Sequence, residues 1–334
     1  MSPNGSGDCL MNWFRARAAR QGWHLAAMGR LWTPGAGACD DGPTVHSHER
    51  DSDRQPQRPE PARRTLQDVA DLYSRVAPAY AKEGPPYFAH TGRRLAELAG
   101  VQAGDSVLDL GTGRGAVLLP AAEKVGPGGR VLGIDIAPGM LEYTKRSIAD
   151  QNLGNAEVQL MDATHLEQEA ACFSHVLSSF SVFFFTELPR VLRELRRVLR
   201  PGGVAGFAFS RGTDPRWTWY EDMLRRVGAL DDMPPEAGYP HIRAPGVLTA
   251  LLRDAGLANA HEQVEATDFW YASPEQWWAS LWTHGSRRPL ERMSPEVLVQ
   301  VEAEALARVR EMLQPQGVPE HMQLVYVLTR NGAE

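Results

Sequence analysis

The stretch Val107-Leu-Asp-Leu-Gly-Thr-Gly-Arg-Gly115 decides the fold, because in it an apolar strand runs directly into a glycine-rich turn. Glycines at 111, 113 and 115 can adopt positive φ angles and let backbone amides approach a ligand closely. A helix after such a turn presents the positive end of its dipole to an anionic group. Asp109 places a carboxylate just before the first glycine. The turn therefore predicts a site for a small charged cofactor.

Two further predicted strands also end in an acidic residue. The apolar run at 130–136 contains Asp135, at a position where an acid can bind both hydroxyls of a ribose. The segment at 158–164 carries Asp162, whose carboxylate could accept a hydrogen bond from an adenine amine. Because strands and helices alternate here, the strands are predicted to be parallel, with their carboxyl ends at one edge of the sheet. Gly111, Gly113 and Ala116 also fit the turn of NAD enzymes, so NAD stays open at this point.

From about residue 75 to residue 330 the chain resembles the class I S-adenosylmethionine-dependent methyltransferases. In that family VLDLGTGRG is the cofactor loop, GIDIAPGMLEYTKR supplies the ribose acid, MDAT supplies the adenine acid, and VLRELRRVLRPGG precedes the fifth strand. The resemblance implies S-adenosyl-L-methionine as cofactor and a doubly wound, Rossmann-like α/β fold. It implies a seven-stranded sheet in the order 3-2-1-4-5-7-6. The family uses an acid at position 109 near the sulfonium and the amino end of the cofactor, where a dinucleotide pyrophosphate would be repelled, so NAD is disfavoured.

The resemblance also implies which residues bind the cofactor. Carried onto this sequence, they are Asp109, Gly111, Thr112, Gly113, Gly115, Asp135, Ile136, Met140, Asp162, Ala163, Ser178 and Phe180. The chain departs from the family at Ser174, where related enzymes carry an aspartate that is mostly structural. It also has Ser178-Ser-Phe-Ser where methyltransferases of nucleic-acid amines carry Asn or Asp followed by Pro-Pro-Tyr. Methylation of DNA amines is therefore disfavoured.

Composition restricts the class of protein and its partners. The chain has 334 residues, 43% of them hydrophobic, so it can bury a large core. It has no uninterrupted apolar run long enough to predict a membrane span. A net charge of −6 predicts no nucleic-acid partner, whereas a homodimer is compatible with the sequence. Cys9, Cys39 and Cys172 form no CxxC pair, so we predict no metal site, no disulfide framework and a cytoplasmic location.

The chain divides into an extension and a catalytic domain. Residues 1–64, rich in Arg, Gly, Pro and Asp, are predicted to be a disordered N-terminal extension. A methyltransferase domain is predicted over 65–330, with its cofactor core at about 100–210. In related enzymes a segment such as 65–98 forms a helical cap over the cofactor. Acceptor-binding insertions are predicted at about 211–246 and 272–320.

Aromatic residues suggest an apolar acceptor. The C-terminal region holds six of the nine tryptophans, and flat rigid side chains of this kind can wall a pocket for a ring-bearing molecule. Phe183, Phe184 and Phe185 follow the fourth strand, where they belong either to the core or to the acceptor space. The tryptophans are Trp217, Trp219, Trp270, Trp277, Trp278 and Trp282.

The predicted function is methyl transfer from S-adenosylmethionine to a small, largely apolar acceptor in secondary-metabolite biosynthesis, such as that of an antibiotic or polyketide. Positioning of the acceptor supplies much of the rate, and a base is needed only when the acceptor must lose a proton. His241 and His284, in the two insertions, are the candidate bases. The alternative is a member of the fold that binds the cofactor but catalyses a cyclisation or rearrangement without methyl transfer.

Overall fold

The computed structural model describes residues 65–212, 214–231 and 241–332. Contacts divide the chain into the units Met1–Arg58 and Pro59–Glu334, and every described residue belongs to the second. The predicted extension at 1–64 and part of the first predicted insertion, 232–240, lie outside the described residues. Among the described helices, none combines the length and apolar character that crossing a membrane requires.

Strands and helices alternate along the first part of this unit. The strands are β1 Ser106–Leu110, β2 Arg130–Asp135, β3 Ala156–Leu160, β4 Phe173–Ser179, β5 Leu199–Arg211, β6 Leu257–Tyr271 and β7 Val318–Asn331. The helices are α1 Leu66–Val76, α2 Tyr87–Leu98, α3 Leu118–Val125, α4 Pro138–Asp150, α5 Leu188–Val198, α6 Thr218–Arg226, α7 Val247–Asp254, α8 Pro274–Leu281, α9 Arg287–Glu291 and α10 Pro295–Glu311. Short 3₁₀ turns lie at Val182–Phe184 and Pro215–Trp217.

The strands form one seven-stranded sheet in the order β3-β2-β1-β4-β5-β7-β6. The first five strands are parallel, whereas β7 runs antiparallel to both β5 and β6. The predicted fold class and strand order are therefore confirmed. The carboxyl ends of β1, β2, β3 and β4 consequently share one edge of the sheet, which is where open α/β sheets bind ligands.

Each face of the sheet buries its own apolar layer. Val107, Leu177 and Tyr326 point to the face covered by α2, α3 and α4, whereas Leu108 and Phe207 point to the face covered by α5 and α7. All five residues of β1 are buried, as expected for a central parallel strand with helices on both sides. A rigid central strand holds the glycine-rich turn that follows it in a fixed position.

Local sequence sets the ends of the helices that surround the site. At the start of α1 the Thr65 side chain accepts a hydrogen bond from the Asp68 amide, and Asp68 accepts one from the Thr65 amide. This reciprocal capping satisfies two amides that the first turn leaves without partners. Helix α5 ends at Val198, because Leu199 adopts extended backbone (φ −80°, ψ 131°) and begins β5.

The packing of α2 on the start of α3 requires a glycine. A Cβ on Gly92 would lie 2.1 Å from the carbonyl oxygen of Ala116 and 2.4 Å from its carbonyl carbon. These backbone atoms cannot move without displacing the glycine-rich turn that precedes them. Gly92 therefore allows the cap helix to lie directly against the end of the turn.

We expect Gly92→Ala to lower the free energy of unfolding by about 1–3 kcal/mol, because the added methyl overpacks this contact. In an unhindered helix the same change would stabilise the protein by about 1 kcal/mol. Gly128→Ala is the matched control, since a Cβ there meets nothing within 4 Å. Thermal unfolding followed by circular dichroism tests the pair, and equal melting temperatures would contradict the contact.

Candidate functional site

A cavity of about 540 Å³ opens at the carboxyl edge of the parallel strands, between the glycine-rich turn and the cap. This volume lies within the range of small-molecule sites in proteins. The turn, the ends of β2 and β3, and the segment after β4 form one part of its wall. Helices α1 and α2 and the segment that joins them form the other part. The cavity thus lies where the sequence predicts the cofactor.

Asp109 lies beneath the turn. Its Oδ2 accepts a hydrogen bond from the Thr112 hydroxyl at 2.7 Å and another from the Leu118 amide at 3.1 Å. The residue is 1% exposed and is not among the residues that line the cavity. Burial raises the pKa of the Asp109 carboxyl to about 7, although both hydrogen bonds oppose the shift. In this structure Asp109 fixes the shape of the turn.

Asp135 connects the end of β2 to the same turn. Its Oδ2 accepts a hydrogen bond from the Gly113 amide at 2.8 Å, and its Oδ1 accepts one from the Ala137 amide at 2.9 Å. Burial raises the pKa of this carboxyl above its ordinary value, against the effect of those amides. Unlike Asp109, Asp135 lines the cavity. Its carboxylate is therefore held in place by the backbone while it faces the space for a ligand.

Asp162 lies after β3 and also lines the cavity. Its Oδ1 accepts a hydrogen bond from the Thr164 amide at 2.8 Å, which closes a tight turn just after the strand. The neighbouring Ala163 and Met161 are buried in the wall. Two acidic groups from adjacent strands therefore face one space, as the sequence predicts.

The first glycine of the turn is required by a close contact. Gly111 has φ 69°, and a Cβ there would lie 2.6 Å from the Cβ of Ser181. The Ser181 hydroxyl donates to the Leu110 carbonyl at 2.9 Å and also shares a short hydrogen bond with the Ser178 hydroxyl. Ser178 thus stabilises the segment after β4 from below and does not line the cavity, whereas Ser181 does.

Sequence reasoning missed several residues that support the turn. A Cβ on Gly133 of β2 would lie 2.7 Å from the Thr112 hydroxyl, so this glycine makes room for the turn's own side chain. The Thr144 hydroxyl donates to the Gly113 carbonyl at 2.7 Å from helix α4. A glycine inside a strand is a known sign of close approach, so Gly133 could have been found from sequence. Thr144 and Ser181 give no comparable signal.

The cap contributes an apolar, aromatic part of the wall. The ring centroids of Tyr80 and Phe88 are 5.2 Å apart in a stacked pair, and Phe88 meets Phe180 edge to face at 4.9 Å. Tyr73 contacts Tyr80 at 6.0 Å and Phe184 at 5.4 Å, again edge to face. The cavity is therefore lined both by acidic and backbone groups and by a connected set of aromatic rings.

The sequence left open whether the three phenylalanines after β4 belong to the core or to the acceptor space, and the structure places them in different surroundings. Phe183 is 6% exposed and packs in the core beneath α5, while Phe184 and Phe185 line the cavity. Phe180 adopts a left-handed backbone with φ 54°, and its amide donates to the Ala208 carbonyl at 2.8 Å. This local conformation turns the chain from β4 across the mouth of the turn.

The prediction that the C-terminal tryptophans wall the acceptor space is wrong for this cavity. All six are described, and none is among its lining residues. Trp217 and Trp277 stack at 5.0 Å with an angle of 10° between their rings, and Trp278 is buried in the same cluster. They form a separate apolar core with α8 and α10, because packing those helices on the sheet requires bulky side chains. The rings at the cavity come instead from the cap and from the segment after β4.

Neither predicted base lines the cavity. His241 is exposed and has φ 66°. His284 is half-buried, and burial lowers its pKa to about 4, so it is neutral at pH 7. Its Nδ1 accepts a hydrogen bond from the Ser286 amide at 3.4 Å. The adjacent Gly285 lies beside the cap, since a Cβ there would be 3.6 Å from the Tyr73 hydroxyl. The catalytic roles of both histidines stay predictions.

Most of the predicted cofactor residues lie together. Three of them do not line the cavity but form hydrogen bonds that support the turn and the segment after β4: Asp109, Gly113 and Ser178. The others line the cavity: Gly111, Thr112, Gly115, Asp135, Ile136, Met140, Asp162, Ala163 and Phe180.

This structure combines a doubly wound sheet, a glycine-rich turn after its first strand and acidic residues at the ends of the next strands. These features define a class of domains that bind cofactors containing a nucleoside. Comparison with known proteins gives the same class. A family model for a methyltransferase domain matches residues 107–203. Nocamycin O-methyltransferase from Saccharothrix syringae is 35% identical over 245 residues, which cover 70% of this chain and 88% of that protein.

Two other comparisons extend these matches. Aklanonic acid methyltransferase DauC from Streptomyces sp. (strain C5) is 38% identical over 150 residues, which cover 44% of this chain and 68% of that protein. The solved structure of the [4+2]-cyclase SpnF superposes with a TM-score of 0.53 at 18% identity and covers 82% of this chain and all of that one (100%). At this low identity, the similarity to SpnF shows a shared fold and nothing about activity.

The chain belongs to the class I S-adenosylmethionine-dependent methyltransferases. The predictions of a methyltransferase and of S-adenosyl-L-methionine as its cofactor are thereby confirmed.

The raised pKa of Asp109 predicts a pH-dependent stability. Between about pH 4 and pH 7 the folded chain keeps a proton on this carboxyl that the unfolded chain has lost. The free energy of unfolding should therefore fall as the pH rises through this interval, by up to roughly 4 kcal/mol from this one group. Asp109→Asn keeps an acceptor oxygen for Thr112 and Leu118 but cannot ionise.

Urea unfolding of both proteins at several pH values between 4.5 and 8 is the measurement. The wild-type protein should lose more stability than the variant as the pH rises, and the difference should level off above about pH 7 to 8. Two parallel curves would show that Asp109 ionises in the folded chain at its ordinary pKa.

Proposed function

We propose that this methyltransferase transfers the methyl group of S-adenosylmethionine to a small, largely apolar acceptor in secondary-metabolite biosynthesis. The observation that carries the proposal is the lining of the cavity, which combines acidic and backbone groups with a connected set of aromatic rings. The acidic and backbone groups suit a cationic nucleoside derivative, and the aromatic side chains suit an apolar acceptor with flat rings.

The residues present fit the cofactor. In the proposal Asp135 binds the ribose hydroxyls, Asp162 binds the adenine amine, and the turn receives the amino-acid end. The close contact at Gly111 supports this assignment, because any side chain there would occupy space beside Ser181 at the floor of the cavity. The remaining assigned contacts are Thr112, Gly115, Ile136, Met140, Ala163 and Phe180, with Asp109, Gly113 and Ser178 supporting them.

When bound, the cofactor supplies a methyl group on a positively charged sulfur, which an acceptor atom attacks in line. The chain's own contribution is to hold the acceptor against the rings of Tyr73, Tyr80 and Phe184 and to keep water out of the space between. Orientation of this kind lowers the barrier by removing the entropy cost of bringing the reactants together. These half-buried rings also reduce the local dielectric constant, which favours methyl transfer from the cationic sulfur to an anionic acceptor.

Proton removal is a separate requirement. Among the described residues that line the cavity there is no histidine, and Asp135 is already engaged with two amides. Burial raises the pKa of the Tyr80 phenol well above its ordinary value, so this hydroxyl serves as a hydrogen-bond donor. His284, neutral at pH 7 and next to the cap, is the better placed of the two predicted bases.

The relatives support the metabolic role. Both curated relatives named above are methyltransferases whose names refer to nocamycin and to aklanonic acid. The match to the first covers 70% of this chain and most of that protein's own length. We therefore propose that the acceptor is a natural product of this kind and that the enzyme acts in a tailoring step.

The direct test is product analysis. The purified chain is incubated with S-adenosylmethionine and a panel of ring-bearing carboxylic acids and phenols, and the products are followed by mass spectrometry. The proposal expects a product heavier by one methyl group and an equal amount of S-adenosylhomocysteine. A product of unchanged mass with no S-adenosylhomocysteine formed would instead support the cyclisation or rearrangement that the sequence left as the alternative.

Asp135→Ala should weaken binding of S-adenosylmethionine by about 10- to 100-fold, because it removes charge-assisted hydrogen bonds to the ribose. Isothermal titration calorimetry measures the change. Asp150→Ala at the end of α4 is the matched control, since Asp150 is exposed and does not line the cavity. A folded Asp135 variant that binds with wild-type affinity would contradict the ribose assignment.

A further inference from the structure

One side chain of the glycine-rich turn reaches across to the cap. Arg114 lies between Gly113 and Gly115, and its Nη1 donates a hydrogen bond of 2.7 Å to the carbonyl oxygen of Tyr80. Tyr80 belongs to the segment that joins α1 and α2, so this contact links parts of the chain that are 34 residues apart. Both Arg114 and Tyr80 line the cavity.

The backbone that carries Arg114 is held by residues at the predicted cofactor site. The Gly113 amide donates to Asp135, and the Gly113 carbonyl accepts from Thr144, so the backbone just before Arg114 is held at both polar groups. The guanidinium also lies over the Tyr143 ring of α4, with 4.9 Å between the guanidinium carbon and the ring centroid. A planar guanidinium over an aromatic face is a favourable cation–π contact.

At the cap, Tyr80 is in contact with the aromatic rings that line the cavity. Tyr80 stacks on Phe88 and meets the edge of Tyr73, and through these two rings it connects to Phe180 and Phe184. The next residue, Ala81, has φ 54°, a conformation that L-residues adopt only when their surroundings hold them there. A shift of the Tyr80 backbone would therefore move the surface on which the acceptor is proposed to lie.

We propose that Arg114 is a positioning residue that couples cofactor binding in the turn to formation of the acceptor surface on the cap. Occupation of the turn orders Arg114, which then holds Tyr80 and its neighbouring rings in place. Because such coupling is reciprocal, an acceptor on the rings also strengthens binding of the cofactor. The inference rests on the proposed function, since it takes the turn as the cofactor site and the rings as the acceptor site.

The chain contains a matched control for this role. The guanidinium carbon of Arg146 lies 5.0 Å from the centroid of the same Tyr143 ring, but its hydrogen bond goes to Glu142 of its own helix. It is on the exposed side of α4 and does not line the cavity. Arg146→Gln therefore removes a similar charge from the same ring without touching the cap.

The experiment is hydrogen–deuterium exchange followed by mass spectrometry, with S-adenosylhomocysteine as the probe. The wild-type chain, Arg114→Gln, Arg114→Lys and Arg146→Gln are each compared with and without saturating probe. In the wild type and in Arg146→Gln, the probe should slow exchange in both 111–116 and 77–88. In Arg114→Gln it should slow exchange in 111–116 alone, with the protection of 77–88 reduced at least about fivefold.

Arg114→Lys should restore part of that protection, because an ammonium can donate to the Tyr80 carbonyl but cannot stack as a plane. Equal protection of 77–88 in the wild type and Arg114→Gln overturns the coupling and leaves the proposed function intact. Loss of all probe binding in Arg114→Gln also overturns it, since Arg114 would then be a cofactor contact. A wild-type chain in which the probe protects neither segment overturns the proposed function and the coupling together.

Discussion

The site depends on carboxylates at the ends of adjacent strands that accept hydrogen bonds from the turn between β1 and α3. Asp135 accepts from the Gly113 amide, and Asp109 accepts from Thr112 and from the Leu118 amide at the start of α3. Burial raises the pKa of both carboxyls, because it disfavours their charged forms. The hydrogen bonds from backbone amides offset part of this desolvation cost. The central position of β1 makes this arrangement rigid, because helices pack on both of its faces.

The rest of the site is built outward from that turn. Close approaches at Gly92, Gly111 and Gly133 bring the cap, the segment after β4 and β2 into direct contact with it. The same contacts bring acidic groups and aromatic rings into the lining of one cavity. The family's chemistry requires two reactants side by side in a space that excludes water, and this combination of groups suits it.

The aromatic residues show how far sequence analysis reached. Clusters of tryptophan and of phenylalanine both looked suitable for an acceptor site, but composition cannot say which face of a helix a ring occupies. Five of the six C-terminal tryptophans pack with α8 and α10 in a separate core, whereas Phe184 and Phe185 line the cavity. The histidines pose the same difficulty, because a lone histidine carries no spacing that fixes its neighbours.

The sequence by itself identified Asp135, Asp162 and the glycine turn as the centre of the site, and its resemblance to a known family implied the strand order and the cofactor. The site could be found because its features are local: each acid lies at or just after the end of its strand, and parallel strands bring such positions to one edge. Only the tertiary structure decided that Asp109 lies beneath the turn, that Arg114 reaches Tyr80 and that rings of the cap line the same cavity as the acids. These contacts join segments far apart in the chain, and their geometry follows from how helices pack on the sheet.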